Sequence, residues 1–185
     1  PVPVVAGGPV VWHAHEMMFG FGLAAVTGFA LTAVPELTGT ASFGSRVALR
    51  FASLWLAGRI LFWLSGVLGP LPAAVAGVAL PIALAATIGS RLLRDSDRRH
   101  SGFLWAILAL AATATGFHAD VLRGAYPMRW IDASIGATMA LVLVALGRIS
   151  MRIVNDALDA AHRDGGDAPE YLARRPRRNL AIAAI

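Results

Sequence analysis

The run Trp12-His13-Ala14-His15-Glu16-Met17-Met18-Phe19 sets two imidazoles, a carboxylate and two thioethers at the entrance of a long apolar segment. After Glu16 no charged side chain follows until Glu36, which is close to the roughly 20 apolar residues that a bilayer-crossing helix requires. Crossing lipid needs none of those donors. Imidazole nitrogen and thioether sulfur suit copper and haem iron, so the stretch reads as the start of a membrane span that also carries ligand chemistry.

Composition agrees with a membrane location. Of 185 residues 57% are hydrophobic and the mean hydropathy is +0.64, too apolar for a water-soluble domain with a polar surface. The chain has no cysteine, which excludes disulfides, thiolate metal sites and cysteine-held iron–sulfur clusters. Any metal would rest on His, Met, Asp or Glu. The net charge of +5 comes from arginine alone among the basic residues. These arginines fall between apolar runs, so they read as topology signals rather than as a nucleic-acid surface. Pro1 in place of Met, and Ile185 inside an apolar run, lead to the expectation of a piece of a longer chain whose C-terminal half is missing.

The pattern predicts an all-α, polytopic transmembrane helix bundle forming one membrane domain, with five complete spans and the start of a sixth. The spans are expected at about 15–34, 47–68, 70–90, 102–122 and 130–147. An amphipathic cytoplasmic helix over 148–163, a basic cytoplasmic loop over 164–178 and the next span from 179 to 185 would follow. Pro1 to Val11 reads as a non-helical approach to the membrane or as the tail of an earlier helix, and Pro35 with Gly39 as the end of the first span. Two ladders of small residues predict close helix contacts: Gly20, Ala24, Gly28 and Thr32 in the first span, and Ala73, Gly77, Pro81, Ala85 and Gly89 in the third.

Three features carry polar chemistry into these spans. Arg59 lies well inside the second, where a charge costs roughly 2.5–3.5 kcal/mol on insertion scales, so it should either snorkel outward or face the protein and meet a structural carboxylate or an anionic cofactor group. His118 reads as a core histidine or a metal ligand. Asp120 points about 160° away from it on a helix, so it should serve a different neighbour, such as an arginine of another helix or the next loop. His100 reads as a solvated loop residue.

Orientation brings the donors together. Thirteen of the sixteen arginines fall in the loops after spans one, three and five, whereas only Arg123 and Arg129 lie in the opposite loops. The positive-inside rule then puts the first group in the cytoplasm. His13, His15 and His118 come to a common outer depth, with Met17, Glu16, Asp120 and Arg59 nearby. On a helix His13 and His15 are about 200° of winding apart, a divergence of about 160°, so they share one metal only if the segment is extended. Glu16 and Asp120 are the expected partners that would fix the rings.

The residues Trp12-His13-Ala14-His15-Glu16-Met17, Gly20, Thr27-Gly28-Phe29, Leu31-Thr32-Ala33-Val34-Pro35, Leu54-Trp55-Leu56-Ala57-Gly58-Arg59, Phe117-His118 and Gly147-Arg148-Ile149 resemble the signature of the NnrS family. Ser150-Met151-Arg152 departs from it, standing where a proline-containing continuation is expected. The resemblance implies a haem- and copper-containing protein of the bacterial inner membrane, linked to denitrification and to tolerance of nitric oxide. It implies His13, His15 and His118 as cofactor and metal ligands with Arg59 in the same site; the thioether of Met17, at the same outer depth, is a further candidate metal donor by its own chemistry. His13 and His15 would lie near the periplasmic face. The expected partners are the lipid bilayer and nitric oxide or a related small ligand, with no nucleic acid. No hydrolytic triad, phosphate loop or His-Glu-x-x-His zinc motif is present, and turnover does not follow from these residues. The alternative is a transporter or permease subunit in which Arg59, His118, Asp120 and Asp132 line a polar path.

Overall fold

The computed structural model describes residues 8–94 and 101–163. Among these the fold is all-α, with six helices: α1 Gly8–Thr38, α2 Ser45–Trp63, α3 Ser65–Leu68, α4 Pro70–Arg94, α5 Ser101–Leu122 and α6 Met128–Arg163. The chain divides into two compact units, Pro1–Leu141 and Val142–Ile185. In the first, α2 and α5 both pack on α4, and α1 packs on α4 and α2. The described part of the second is the C-terminal half of α6, where Leu143, Leu146, Ile149 and Ile153 are exposed.

Four helices among the described residues are long and apolar enough to cross a membrane: Gly8–Thr38, Pro70–Arg94, Ser101–Leu122 and Met128–Met151. This corrects the expectation of five spans and the start of a sixth. The segment expected as the second span breaks after Trp63, and α2 itself carries Arg46, Arg50 and Arg59 within 19 residues. That charge density removes it from the class of uniformly apolar helices. It nevertheless runs antiparallel beside the start of α1, with Trp55, Arg59 and Phe62 meeting Gly20, Glu16 and His15 in turn. The expected start of a sixth span at 179–185, the basic loop at 164–178, His100 and the first seven residues lie outside the described residues.

Local chemistry explains the other boundaries. Helix α1 begins at Gly8, so the approach to the membrane is helical from there on. Pro35 lies inside its last turns, and the end comes at Gly39, whose φ of +62° is the left-handed cap that glycine adopts without strain. The α2–α3 break falls at Leu64, and just beyond it the Ser65 hydroxyl donates to the Phe62 carbonyl at 2.6 Å. Helix α6 continues without interruption through 147 and 148, where a span was expected to give way to a surface helix.

The two small-residue ladders differ in fate. In α4, Ala73, Pro81, Ala85 and Gly89 are buried. In α1, Gly28 and Thr32 are exposed, and Leu23, Val26, Thr27, Ala30 and Val34 form the packed face instead. The ladder's first member, Gly20, is buried inside a wide, π-helical turn over Glu16–Gly22, whereas Gly28 and Thr32 lie beyond that turn on ordinary α-helix. The inner core near this turn joins Val11 and Phe19 of α1, Phe62 of α2, Ala73 of α4, Ala114 and Phe117 of α5, and Ile131 of α6.

Candidate functional site

The wide turn at the start of α1 and the end of α5 bring His15 and His118 together. Their ring centroids lie 5.5 Å apart with planes inclined by 76°, edge toward face. Both are buried, His15 completely. Aromatic rings surround His15: Phe62 stacks on it at 3.7 Å, Phe117 lies at 4.7 Å and Phe19 at 5.5 Å. Both ring nitrogens of His15 and Nε2 of His118 lack a hydrogen-bond partner. Buried polar atoms are rarely left so, because an unmade hydrogen bond costs on the order of 1–3 kcal/mol.

The helix facing His118 is also locally irregular. Pro81 has no N–H for the carbonyl of Gly77, four residues earlier in α4, and Gly77 is the residue on which His118 Nε2 rests. A Cβ there would collide with the ring. Only glycine lets the imidazole approach that backbone.

Beside the pair, Arg59 Nη1 donates to Glu16 Oε1 at 2.8 Å, with both side chains mostly buried. Glu16 Oε1 also lies 3.4 Å from His15 Nδ1. That contact is an electrostatic approach, since His15 Nδ1 makes no hydrogen bond. The charge expected to need a partner inside a span therefore finds one on the neighbouring helix. The carboxylate that neutralises it also flanks His15. Arg59 Nε remains without a hydrogen-bond partner, and its guanidinium carbon lies 5.9 Å from the Phe62 ring centre.

Other residues singled out in the sequence lie elsewhere. His13 is exposed, because Gly8–His15 is helical and two residues turn the side chain well away from His15. Met17 is 47% exposed. Asp120, buried at the end of α5, accepts two hydrogen bonds from Arg129, at 3.0 and 2.9 Å, and one from Trp130 Nε1 at 2.8 Å. This staples the α5–α6 turn and leaves no hydrogen bond to His118. Asp132 is exposed. Among the described residues, no group of three or more His, Asp or Glu side chains is placed to hold a metal ion.

Sequence reasoning missed Phe62, Phe117, Trp55 and Gly77 as parts of the site. A signal for three of them exists. Trp55, Arg59 and Phe62 are spaced by four and three, so they share one helix face, and once Arg59 faces inward the other two must follow. Gly77 and Pro81 are also four apart, the spacing at which proline frees a carbonyl. Phe117 adjoins His118 in sequence, but its position beneath His15 depends on how α1 packs.

Apolar helices long enough to cross a bilayer, with an ion pair and an imidazole pair buried among them, define a multi-pass membrane protein with a polar site inside the bundle. The chain belongs to the NnrS family: the family model described as NnrS protein matches residues 1–185. No curated protein and no solved structure matches it.

Proposed function

We propose that this is a copper- and haem-associated protein of the bacterial inner membrane that takes part in tolerance of nitric oxide or in denitrification, with His15 and His118 as ligands of a copper ion near the periplasmic face. The observation that carries the reading is the buried imidazole pair with three unsatisfied ring nitrogens. Two neutral imidazoles in a cysteine-free, apolar setting are a donor set that copper accepts and that calcium or magnesium does not. When bound, copper would supply a centre that coordinates a small ligand and cycles between two oxidation states.

The chain's own residues set the surroundings. Glu16 flanks Nδ1 of His15 and so favours presentation of the opposite nitrogen. Phe19, Phe62 and Phe117 surround His15 with apolar surface that keeps water from it. A haem is a different matter. A porphyrin held at an imidazole nitrogen needs a slot as wide as the macrocycle, and these rings together with His118 fill the space around His15. The packing around His15 leaves no slot for a porphyrin, so the haem part of the reading rests on the family and the copper part on the two imidazoles. Exposed His13 and Met17 stand outside the proposed copper site. The transporter reading has less support, because Arg59 and Asp120 are each neutralised by a partner rather than arrayed along a path.

The test is the metal content and optical spectrum of the purified full-length protein, with His15→Ala and His118→Ala beside the wild type. Copper that is retained by the wild type and lost in both variants is the expected result. Wild-type protein with neither copper nor a Soret band would overturn the reading.

A further inference from the structure

The first helix is wound wide between Glu16 and Gly22, and this turn is gripped from α2. Trp55 Nε1 donates to the carbonyl of Gly20 at 2.9 Å, while the N–H of Leu23 is shared between the carbonyls of Gly20 and Met18. Gly20 carries no Cβ, and one placed there would stand 3.0 Å from Glu16 Oε2 and 3.1 Å from Arg59 Nη1. One face of α2 thus holds three consecutive features of α1: Trp55 the wide turn, Arg59 the carboxylate and Phe62 the imidazole.

We infer that the wide turn, latched by Trp55, sets which side chain of α1 faces His118, and that Trp55 and Gly20 are positioning residues for the imidazole pair. The inference rests on the reading of that pair as a ligand site. A π turn holds about one residue more than an α turn over the same rise. Rewinding it to α, with the downstream helix held by its packing, turns everything upstream by about 100°. Glu16 then falls where His15 now stands, and a carboxylate meets Phe62 and Phe117. A turn wound wide loosens the carbonyls within it, and the indole of Trp55 gives that of Gly20 a second donor beside the shared N–H of Leu23.

Four forms of the full-length protein test this: wild type, Trp55→Phe, deletion of Met17, and the two changes combined. Nitrogen-15 NMR of histidine-labelled, metal-free protein reads the imidazoles, among them the five of this chain, and competition against a chromophoric chelator reads retention of copper(I). Trp55→Phe is expected to move the His15 and His118 signals, and that of His13 with them because it lies upstream of the turn, and to weaken copper(I) retention roughly tenfold. Deleting Met17 removes the surplus residue and restores an α turn with both flanks in register. Trp55→Phe should then have no further effect on either readout.

Unmoved His15 and His118 signals in Trp55→Phe, or the same loss with and without Met17, would overturn the positioning role. If Trp55→Phe fails to fold, Gly20→Ala is read the same way. A shift of His13, His15 and His118 with this chain's other two signals in place supports the role, and no shift or a change in all five of them overturns it. A wild type that retains no copper(I), combined with the expected NMR response, removes the ligand reading and leaves the positioning role standing.

Discussion

The ring of His15 lies nearly parallel to that of Phe62, with planes inclined by 21°, although the two residues come from different helices. Phe62 is buried, as is Phe117 on another side of the imidazole. A buried ring held in this way keeps a fixed orientation, which a ligand to a metal requires. Replacing Phe62 by Ala removes that support and opens a cavity, and should destabilise the protein by roughly 3 kcal/mol. Reversible unfolding in detergent measures the loss, and Phe62→Leu should recover more than half of it.

Arg59 and Glu16 form one unit across α2 and α1, so their substitutions should not add. Removing one partner leaves the other charge mostly buried, at a cost on the order of 3 kcal/mol. Replacing both with leucine should cost clearly less than the sum of the single changes. A double-mutant cycle on unfolding free energy checks this, and simple additivity would show that the pair is not coupled.

Asp120 belongs to a different device. Its three hydrogen bonds, from Arg129 and Trp130, close the turn between α5 and α6. Asp120→Asn keeps the shape but substitutes a neutral amide that cannot accept the same fork. Limited proteolysis is expected to cut faster within residues 123–127, while His15 and His118 keep their wild-type NMR signals. Disturbance of both imidazoles would mean that Asp120 acts on them directly.

Two glycines make a contrasting pair. A Cβ on Gly77 would strike His118, whereas one on Gly28 has nothing within 4 Å. Gly77→Ala should therefore displace the imidazole and lower copper(I) retention by at least tenfold. Gly28→Ala should leave retention unchanged and raise the unfolding midpoint slightly, since alanine is the better helix former by about 1 kcal/mol. Equal behaviour of the two variants would show that the contact of His118 with Gly77 has no bearing on the site.

The sequence by itself determined that the chain lives in a membrane as a helical bundle, because apolar runs near the length of a bilayer, separated by arginine-bearing loops, admit little else. It also marked Arg59 as a charge in need of a partner, since an unpaired guanidinium among apolar residues is costly. Tertiary structure decided which partner. Glu16 was legible as a neighbour of His15, but its pairing with Arg59 depends on α2 lying antiparallel to the start of α1. The same packing separated His15 from His13. Chemically the two are alike, and the helical winding from Gly8 together with the wide turn sends one to the core and the other outward. No period read from residue types alone shows a surplus residue in a helix turn, because that turn exists through the hydrogen bond it receives from Trp55, 35 residues away in sequence.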